Sequence, residues 1–270
     1  MPNIQGSLLD LGTMDQLARL DTPVHRLDPR AKIVAALALI VAAVSFGRHE
    51  ISALLPLVFF PVALGAIGRV PAGVIVRKLL LALPFVLFVG LFNPLLDRET
   101  ALQVGGIEVS GGWLSFLSIL LRSALTLGTA LVLIAVTGVP ALGAGLERLG
   151  APRAFVVQLL FLHRYLFVLG EEALRMSRAR AQRSFDGRGT GWRTTASLLG
   201  NLLLRTLDRA DRIYTAMRSR GFNGEVRLRR SLRFTAADAA FACGWCAFFA
   251  AARIWNLPRL LGEIVAGAAR

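Results

Sequence analysis

Long apolar runs separated by short polar segments dominate the first half of the chain. Four of them precede residue 140, at 33–46, 51–68, 79–96 and 113–139, and a fifth lies at 234–257 with Asp238 near its start. A helix needs about 20 apolar residues to cross a bilayer. The last four runs meet this length, and the first meets it if its edges extend. The pattern predicts an all-α polytopic membrane protein with about five to six transmembrane helices, with Asp238 close enough to reach the interface.

Residues 153–233 interrupt this pattern with arginine-rich helices. They hold 17 of the 31 basic residues and 6 of the 17 acidic ones, and therefore most of the net charge of +14. A basic segment between apolar ones is typical of a cytoplasmic region. Two long helices are expected here, the second ending at Gly221, a natural C-terminal stop. The predicted organisation is a transmembrane region at 1–139, cytoplasmic helices at 140–233, and a transmembrane helix and tail at 234–270.

The basic residues that flank the early runs indicate the orientation in the membrane. Arg30 and Lys32 precede the first run, and Arg69, Arg77 and Lys78 lie between the second and third. Cytoplasmic loops carry an excess of Lys and Arg. We therefore expect the N-terminus inside the cell and, with five spans, the C-terminus outside.

The two cytoplasmic helices end in similar sequences, "ARAQRSFDG" and "AMRSRGFNG". Each places an arginine between small or polar neighbours, followed by phenylalanine and a turn. A guanidinium at a helix C-terminus is favoured by the helix dipole and can pair bidentately with a carboxylate. Lipid head groups are the alternative partners. The repetition favours two similar contacts, centred on Gln182, Arg183 and Ser184 and on Ser219, Arg220 and Gly221, with Arg180 and Arg218 as possible accessory residues.

The remaining sequence features argue against several other classes of function. No G-x-x-x-x-G-K-[ST] loop is present, so ATP hydrolysis by this chain is not expected. The basic block lacks interleaved stacking aromatics, which disfavours nucleic-acid binding. A membrane-bound enzyme would need clustered carboxylates or histidines, whereas Glu171 and Glu172 lie in a helix where salt bridges are expected.

No cofactor or metal site is predicted either. Cys243 and Cys246 lie in an apolar helix, where packing is the favoured interpretation. His25, His49 and His163 are scattered without ligand spacing. Asp28-Pro29-Arg30 indicates a helix start, with contact to a partner subunit as the alternative.

Four segments, "HRLDPRAKI", "FLHRYLFVLGEEALRM", "ARAQRS" and "RSRGF", together resemble the transmembrane coupling component of energy-coupling factor transporters. This is the EcfT/CbiQ family, and the resemblance is to its cobalt-type member, CbiQ. The likeness extends from about His25 to Phe222. The paired x-Arg-x motifs are its most specific part. The first motif here is Gln-Arg-Ser where many relatives have Ala-Arg-Gly or Ala-Arg-Ser, which leaves Arg180 as an alternative for the docking residue.

The resemblance implies a non-enzymatic subunit of a multi-pass transporter in the bacterial inner membrane. Such a subunit would join two ABC-type ATPases to a membrane-embedded substrate-binding subunit, here for cobalt uptake. Arg183 and Arg220 would each dock one ATPase. A conventional ABC permease lining its own pathway remains the alternative, as does a coupling subunit that serves nickel or a vitamin.

Overall fold

The structure is a computed structural model, which describes residues 12–47, 51–96, 100–104, 107–183, 191–224 and 233–255. The early helices are α1 (Pro23–Arg26), α2 (Pro29–Ser45), α3 (Ile51–Leu54), a 3₁₀ turn (Leu55–Val58), α4 (Phe59–Ile67) and α5 (Ala72–Leu96). Strands β1 (Thr100–Val104) and β2 (Ile107–Ser110) follow. The later helices are α6 (Gly111–Thr137), α7 (Val139–Arg148), α8 (Arg153–Arg183), α9 (Trp192–Ser219) and α10 (Ala236–Trp255).

The chain divides into two compact units, the bundle unit and the helix-pair unit. The bundle unit comprises Asp15–Gly145 and Ser231–Arg270 and contains α1 to α6 and α10. The helix-pair unit comprises Met1–Met14 and Leu146–Arg230 and contains α8 and α9.

Helix α2 begins as its sequence predicts. Asp28 is extended and its carboxylate accepts the backbone N–H of Arg30 at 2.9 Å, while Pro29 occupies the first helical position. This is the arrangement expected at a helix N-terminus. Small side chains and one leucine then form the buried face of α2: Ala31, Ala35, Ala36, Leu39 and Ala43. Small residues let neighbouring helices of a membrane bundle approach closely.

The second apolar run does not form one long helix, so its prediction as a comfortable span was wrong. Residues 51–67 form α3, a 3₁₀ turn that contains Pro56, and the short helix α4, which contains Pro61. Proline lacks an N–H and clashes with the carbonyl four residues earlier. The result is a broken apolar segment at the lower limit of the length that spans a bilayer.

An aromatic cluster joins α4 to α10 in the core of the bundle unit. The ring of Phe60 lies edge-on to Trp245, at 4.8 Å between centroids, and to Phe249, at 5.5 Å. Phe60 is fully buried and Phe249 nearly so. Aromatic pairs in this geometry stabilise a core beyond the area that they bury. The cluster fixes the broken α3–α4 segment against an unbroken helix.

Among the described residues, four helices are long and apolar enough to cross a membrane: 72–92, 111–137, 153–183 and 236–254. Three correspond to predicted runs, and α5 has few fully buried residues, so much of its apolar surface is left for lipid. The all-α polytopic membrane fold is thus confirmed. The fourth helix is α8, which the sequence analysis assigned to the cytoplasm. Helix α8 is long and apolar enough to span because its first half is mostly apolar, while most of its charged residues lie in its second half.

Strands β1 and β2 form a small antiparallel hairpin between α5 and α6. Thr100 pairs with Ser110 and Val104 with Ile107, with an irregularity between Thr100 and Leu102. The hairpin leads directly into α6.

Candidate functional site

Helices α8 and α9 form an antiparallel pair within the helix-pair unit. Glu172 of α8 accepts a hydrogen bond from Arg205 of α9 at 3.1 Å and another from Arg175 at 2.7 Å. Further along, the ring of Phe161 lies 6.3 Å from that of Phe222, just beyond α9. Phe161 comes before Glu172 in the sequence, whereas its partner Phe222 comes after Arg205, so α8 and α9 run in opposite directions. The salt bridges expected in this helix are confirmed for Glu172.

The C-terminal end of α9 is closed by a Schellman motif. Gly221 has φ +79°, its N–H donates to the Arg218 carbonyl at 3.0 Å, and the N–H of Phe222 donates to the Met217 carbonyl at 3.0 Å. A left-handed residue followed by these two bonds satisfies the last carbonyls of a helix. Only glycine adopts this conformation without strain. Gly221 therefore fixes where α9 stops and where Arg220 lies.

Phe222 holds this end of α9 against α8. Its ring meets Phe161, and it lies beside Met217, the residue whose carbonyl it caps. A hydrophobic contact between these two positions commonly accompanies the Schellman motif. The sequence "RSRGF" thus combines a helix stop with an anchor, and Arg220 projects from a fixed point.

The predicted docking residues are mostly exposed. Exposed side chains are Gln182, Arg183, Arg218, Ser219 and Arg220, whereas Arg180 is half-buried. Ser184 lies outside the described residues. The Ser219 hydroxyl donates to the Thr215 carbonyl at 3.0 Å, and Arg218 lies 5.9 Å from the Tyr214 ring centroid. In the part of the chain that the structure describes, no carboxylate pairs with Arg183 or Arg220. Both guanidinium groups are accessible to a carboxylate partner.

The two motifs lie at opposite ends of the helix pair rather than together. Arg220 is close to the level of Phe161, and Arg183 lies 22 residues after Phe161 in the unbroken helix α8. At 1.5 Å per residue this corresponds to about 33 Å. A single small ligand cannot bridge such a distance, whereas two separate protein contacts can use it.

An apolar groove of about 1040 Å³ lies between the first half of α8 and the second half of α9. Its walls include Leu159, Tyr165, Ile213 and Met217, and Phe222 contributes near one end. No residue of α9 is fully buried within the chain, and four of its leucines are exposed: Leu199, Leu203, Leu204 and Leu207. An amphipathic helix of this kind keeps an apolar face available to a partner or to lipid.

A buried polar cluster in the bundle unit was missed by the sequence analysis. Lys32, interpreted there as a cytoplasmic flank, is fully buried, and its Nζ donates to the carbonyls of Val24 at 3.2 Å and Val136 at 3.0 Å. Val136 belongs to the last turn of α6. A cation at a helix C-terminus is favoured by the dipole. Lys32 thus connects α1 and α2 to the end of α6.

Asp238 belongs to the same cluster, where its carboxylate is buried inside the bundle unit. It accepts the backbone N–H of Asp28 at 2.7 Å, the N–H of Thr235 at 2.8 Å and the Thr235 hydroxyl at 2.6 Å. These bonds cap α10 and secure the start of α2. Because Asp28 and Asp238 are 210 residues apart, no local sequence pattern could have revealed the contact.

His25 completes the cluster in a defined tautomer. Its Nε2 lies 3.0 Å from the Leu17 carbonyl, which can only accept, so Nε2 carries the proton. Its Nδ1 then accepts from the Thr22 hydroxyl at 2.7 Å. Burial lowers the pKa of His25 below its ordinary value, and Lys32 acts in the same direction. Burial therefore favours the neutral form of His25 over the charged one.

The cysteines and other histidines are not gathered into a ligand set. Among the described residues, no group of three or more His, Cys, Asp or Glu side chains is placed to hold a metal ion. Cys243 is exposed and Cys246 half-buried. His163 contacts the Phe167 ring at 5.4 Å, and His49 lies outside the described residues.

Comparisons with known proteins agree on one family. A family model described as "CbiQ: Cobalt transport protein" matches residues 21–231. The energy-coupling factor transporter transmembrane protein EcfT of Heliobacterium modesticaldum is 30% identical over 262 residues, which cover 90% of this chain and 97% of the relative. The cobalt transport protein CbiQ of Rhodobacter capsulatus is 36% identical over 85 residues, 31% of this chain and 35% of the relative. The nickel permease LarQ of Lactiplantibacillus plantarum is 35% identical over 81 residues, 30% of each chain.

Proposed function

Because the chain belongs to the CbiQ family of cobalt transport proteins, we propose that it is the transmembrane coupling subunit of an energy-coupling factor importer. In this role it joins two ABC-type ATPases to a substrate-binding subunit in the bacterial inner membrane. The observation that supports this most is the placement of two exposed arginine ends on one antiparallel helix pair, about 33 Å apart.

Each helix end docks one ATPase. Arg183 and Arg220 are long, planar cations at helix C-termini, and a carboxylate in a groove of the partner would pair with each bidentately. Gly221 and Phe222 hold the second site in place through the Schellman motif and the contact with Phe161. Two similar sites on one chain match two copies of one partner.

Coupling follows from the stiffness of the helix pair. When ATP binding draws the two ATPases together, the two arginine ends are displaced with them. The Glu172–Arg205 bridge and the Phe161–Phe222 contact keep α8 and α9 together, so the pair moves as a lever. The exposed apolar face of α9 would pass this movement to the membrane-embedded subunit.

The proposed cargo is the cobalt ion. The family and two relatives, from Rhodobacter capsulatus and Salmonella typhimurium, are named for cobalt transport. Nickel is the alternative, because a relative from Lactiplantibacillus plantarum is named a nickel permease. The choice would be made by the substrate-binding subunit.

Radioactive cobalt uptake tests the proposal in cells that produce this chain with its ATPases and membrane partner. Arg183→Glu and Arg220→Glu should each lower uptake by about tenfold or more, the loss expected when one charge-assisted contact becomes repulsive. Arg212→Glu is the matched control, because it reverses an exposed arginine on the flank of α9. Equal loss in all three variants, at equal amounts of protein in the membrane, would contradict specific docking.

A further inference from the structure

Two arginines from different helices of the bundle unit converge on the C-terminal end of α2. Arg122 of α6 donates from Nη2 to the carbonyls of Phe46 at 3.0 Å and Gly47 at 3.4 Å. Arg253 of α10 donates from Nε to the Ser45 hydroxyl and from Nη2 to the Ser45 carbonyl, both at 3.1 Å. The Arg253 guanidinium also lies 4.9 Å from the Phe46 ring centroid.

The positive charge at this point exceeds what the end of α2 can balance. The last carbonyls of a helix lack intrahelical donors and together carry about half a negative charge. Two guanidinium groups bring two full positive charges. Among the described residues, neither arginine pairs with a carboxylate. Arg122 Nε is moreover buried without a hydrogen-bond partner. The described residues thus supply no anion to this arrangement.

The position of the pair along the bundle identifies the source of that anion. Between Val136, which binds Lys32, and Arg122, which binds Phe46, α6 advances 14 residues. This is about 21 Å, less than the roughly 30 Å of a hydrocarbon core. Arg122 therefore lies within the apolar length of α6, whereas Arg253 lies in the last turn of α10 and Ser45 is the last residue of α2, so the pair meets where these two helices end, away from Lys32 at the start of α2. Arg253 and its neighbour Ile254 are exposed, so the site is open to lipid.

We propose that Arg122 and Arg253 bind the phosphate group of an anionic phospholipid. Guanidinium presents a planar fork of donors that matches phosphate oxygens, and Arg253 is open to lipid at this point. A zwitterionic lipid is less suited, because the described residues offer no negative side chain there for its cationic group. An arginine within an apolar span is costly unless a partner is supplied. The lipid supplies it. This inference does not depend on the proposed transport function.

Native mass spectrometry of the purified full chain tests the site, with phosphatidylglycerol and phosphatidylcholine titrated separately. Wild type should retain one phosphatidylglycerol with about tenfold preference, the value of one charge-assisted bidentate contact. Arg253→Gln should remove this preference. Arg122→Lys keeps a donor for the Phe46 carbonyl but loses the fork, so it should bind more weakly than wild type. Arg77→Gln, which neutralises an exposed arginine on α5, should bind as wild type does.

Two results would overturn the proposal. One is equal retention of both lipids by the wild-type chain. The other is an unchanged preference in Arg253→Gln, which removes an exposed side chain at a helix end and is expected to fold. If wild type shows no lipid preference and Arg253→Gln loses a membrane partner on co-purification, a protein carboxylate occupies the site instead.

Discussion

Replacement of Lys32 by methionine tests whether the buried polar cluster stabilises the bundle unit. Lys32 is 1% exposed, and its ammonium group bonds the carbonyls of Val24 and Val136. It also lies close enough to Asp238 to act on that carboxylate electrostatically. Methionine has a similar unbranched stem, so the packing of the apolar part is nearly preserved. The change removes mainly the charge and its donors.

The expected cost follows from the groups left behind. Each buried carbonyl without a donor costs about 1–3 kcal/mol. Relief of the desolvation of the ammonium offsets part of this. The net destabilisation should be about 2–3 kcal/mol. For a unit of this size, each kcal/mol lowers Tm by about 2–4 °C, so a decrease of about 5–10 °C is expected.

Thermal unfolding of the purified chain in detergent, followed by tryptophan fluorescence, measures the effect. Trp245 lies in the aromatic core and reports on the bundle unit. Lys78→Met is the matched control, because Lys78 is the other lysine of the chain and is partly exposed on α5. It should shift Tm by less than about 2 °C, as surface changes usually do. If Lys32→Met and Lys78→Met have the same Tm, the buried cluster does not stabilise the bundle unit.

Two further predictions concern His25 and the glycines of α9. Because burial lowers the pKa of His25, the unfolded chain binds a proton that the folded chain does not, so the free energy of unfolding should fall as pH drops below 6.5 toward the folded pKa. His25→Gln should flatten this pH dependence when unfolding is measured at several pH values. An unchanged pH dependence would show that another group causes it. Gly221→Ala should destabilise by about 1–2 kcal/mol because φ is +79° there, whereas Gly200→Ala, inside the same helix with open space around it, should stabilise by about 0.5–1 kcal/mol. Thermal unfolding of both variants checks the difference, and shifts of the same sign would contradict it.

The sequence predicted the features that depend on local chemistry. The start of α2 at Asp28-Pro29 and the stop of α9 at Gly221 both follow from capping rules that act within a few residues. The long helices follow from apolar length. The break near Pro56 and Pro61 could also have been predicted, because proline lacks the N–H that a helix needs. The apolar character of the run instead led to the prediction of one continuous helix.

What could not be predicted depends on contacts between distant segments. Lys32 and Asp238 were interpreted as interfacial charges, and only the packing of α2 against α6 and α10 shows them buried and bonded. Arg122 carried a signal that was overlooked, since an arginine inside a 27-residue apolar helix indicates a functional or structural partner. The separation of the two x-Arg-x motifs required the antiparallel pairing of α8 and α9.

The number of ATPases bound to each chain tests the central claim most directly. The complex is purified through a tag on this chain, and its composition is determined by native mass spectrometry. Two ATPases are expected for wild type and for Arg212→Glu, one for Arg183→Glu or Arg220→Glu, and none for the double variant. Two ATPases on a folded double variant would contradict the account, because the arginine ends would then not be the docking sites.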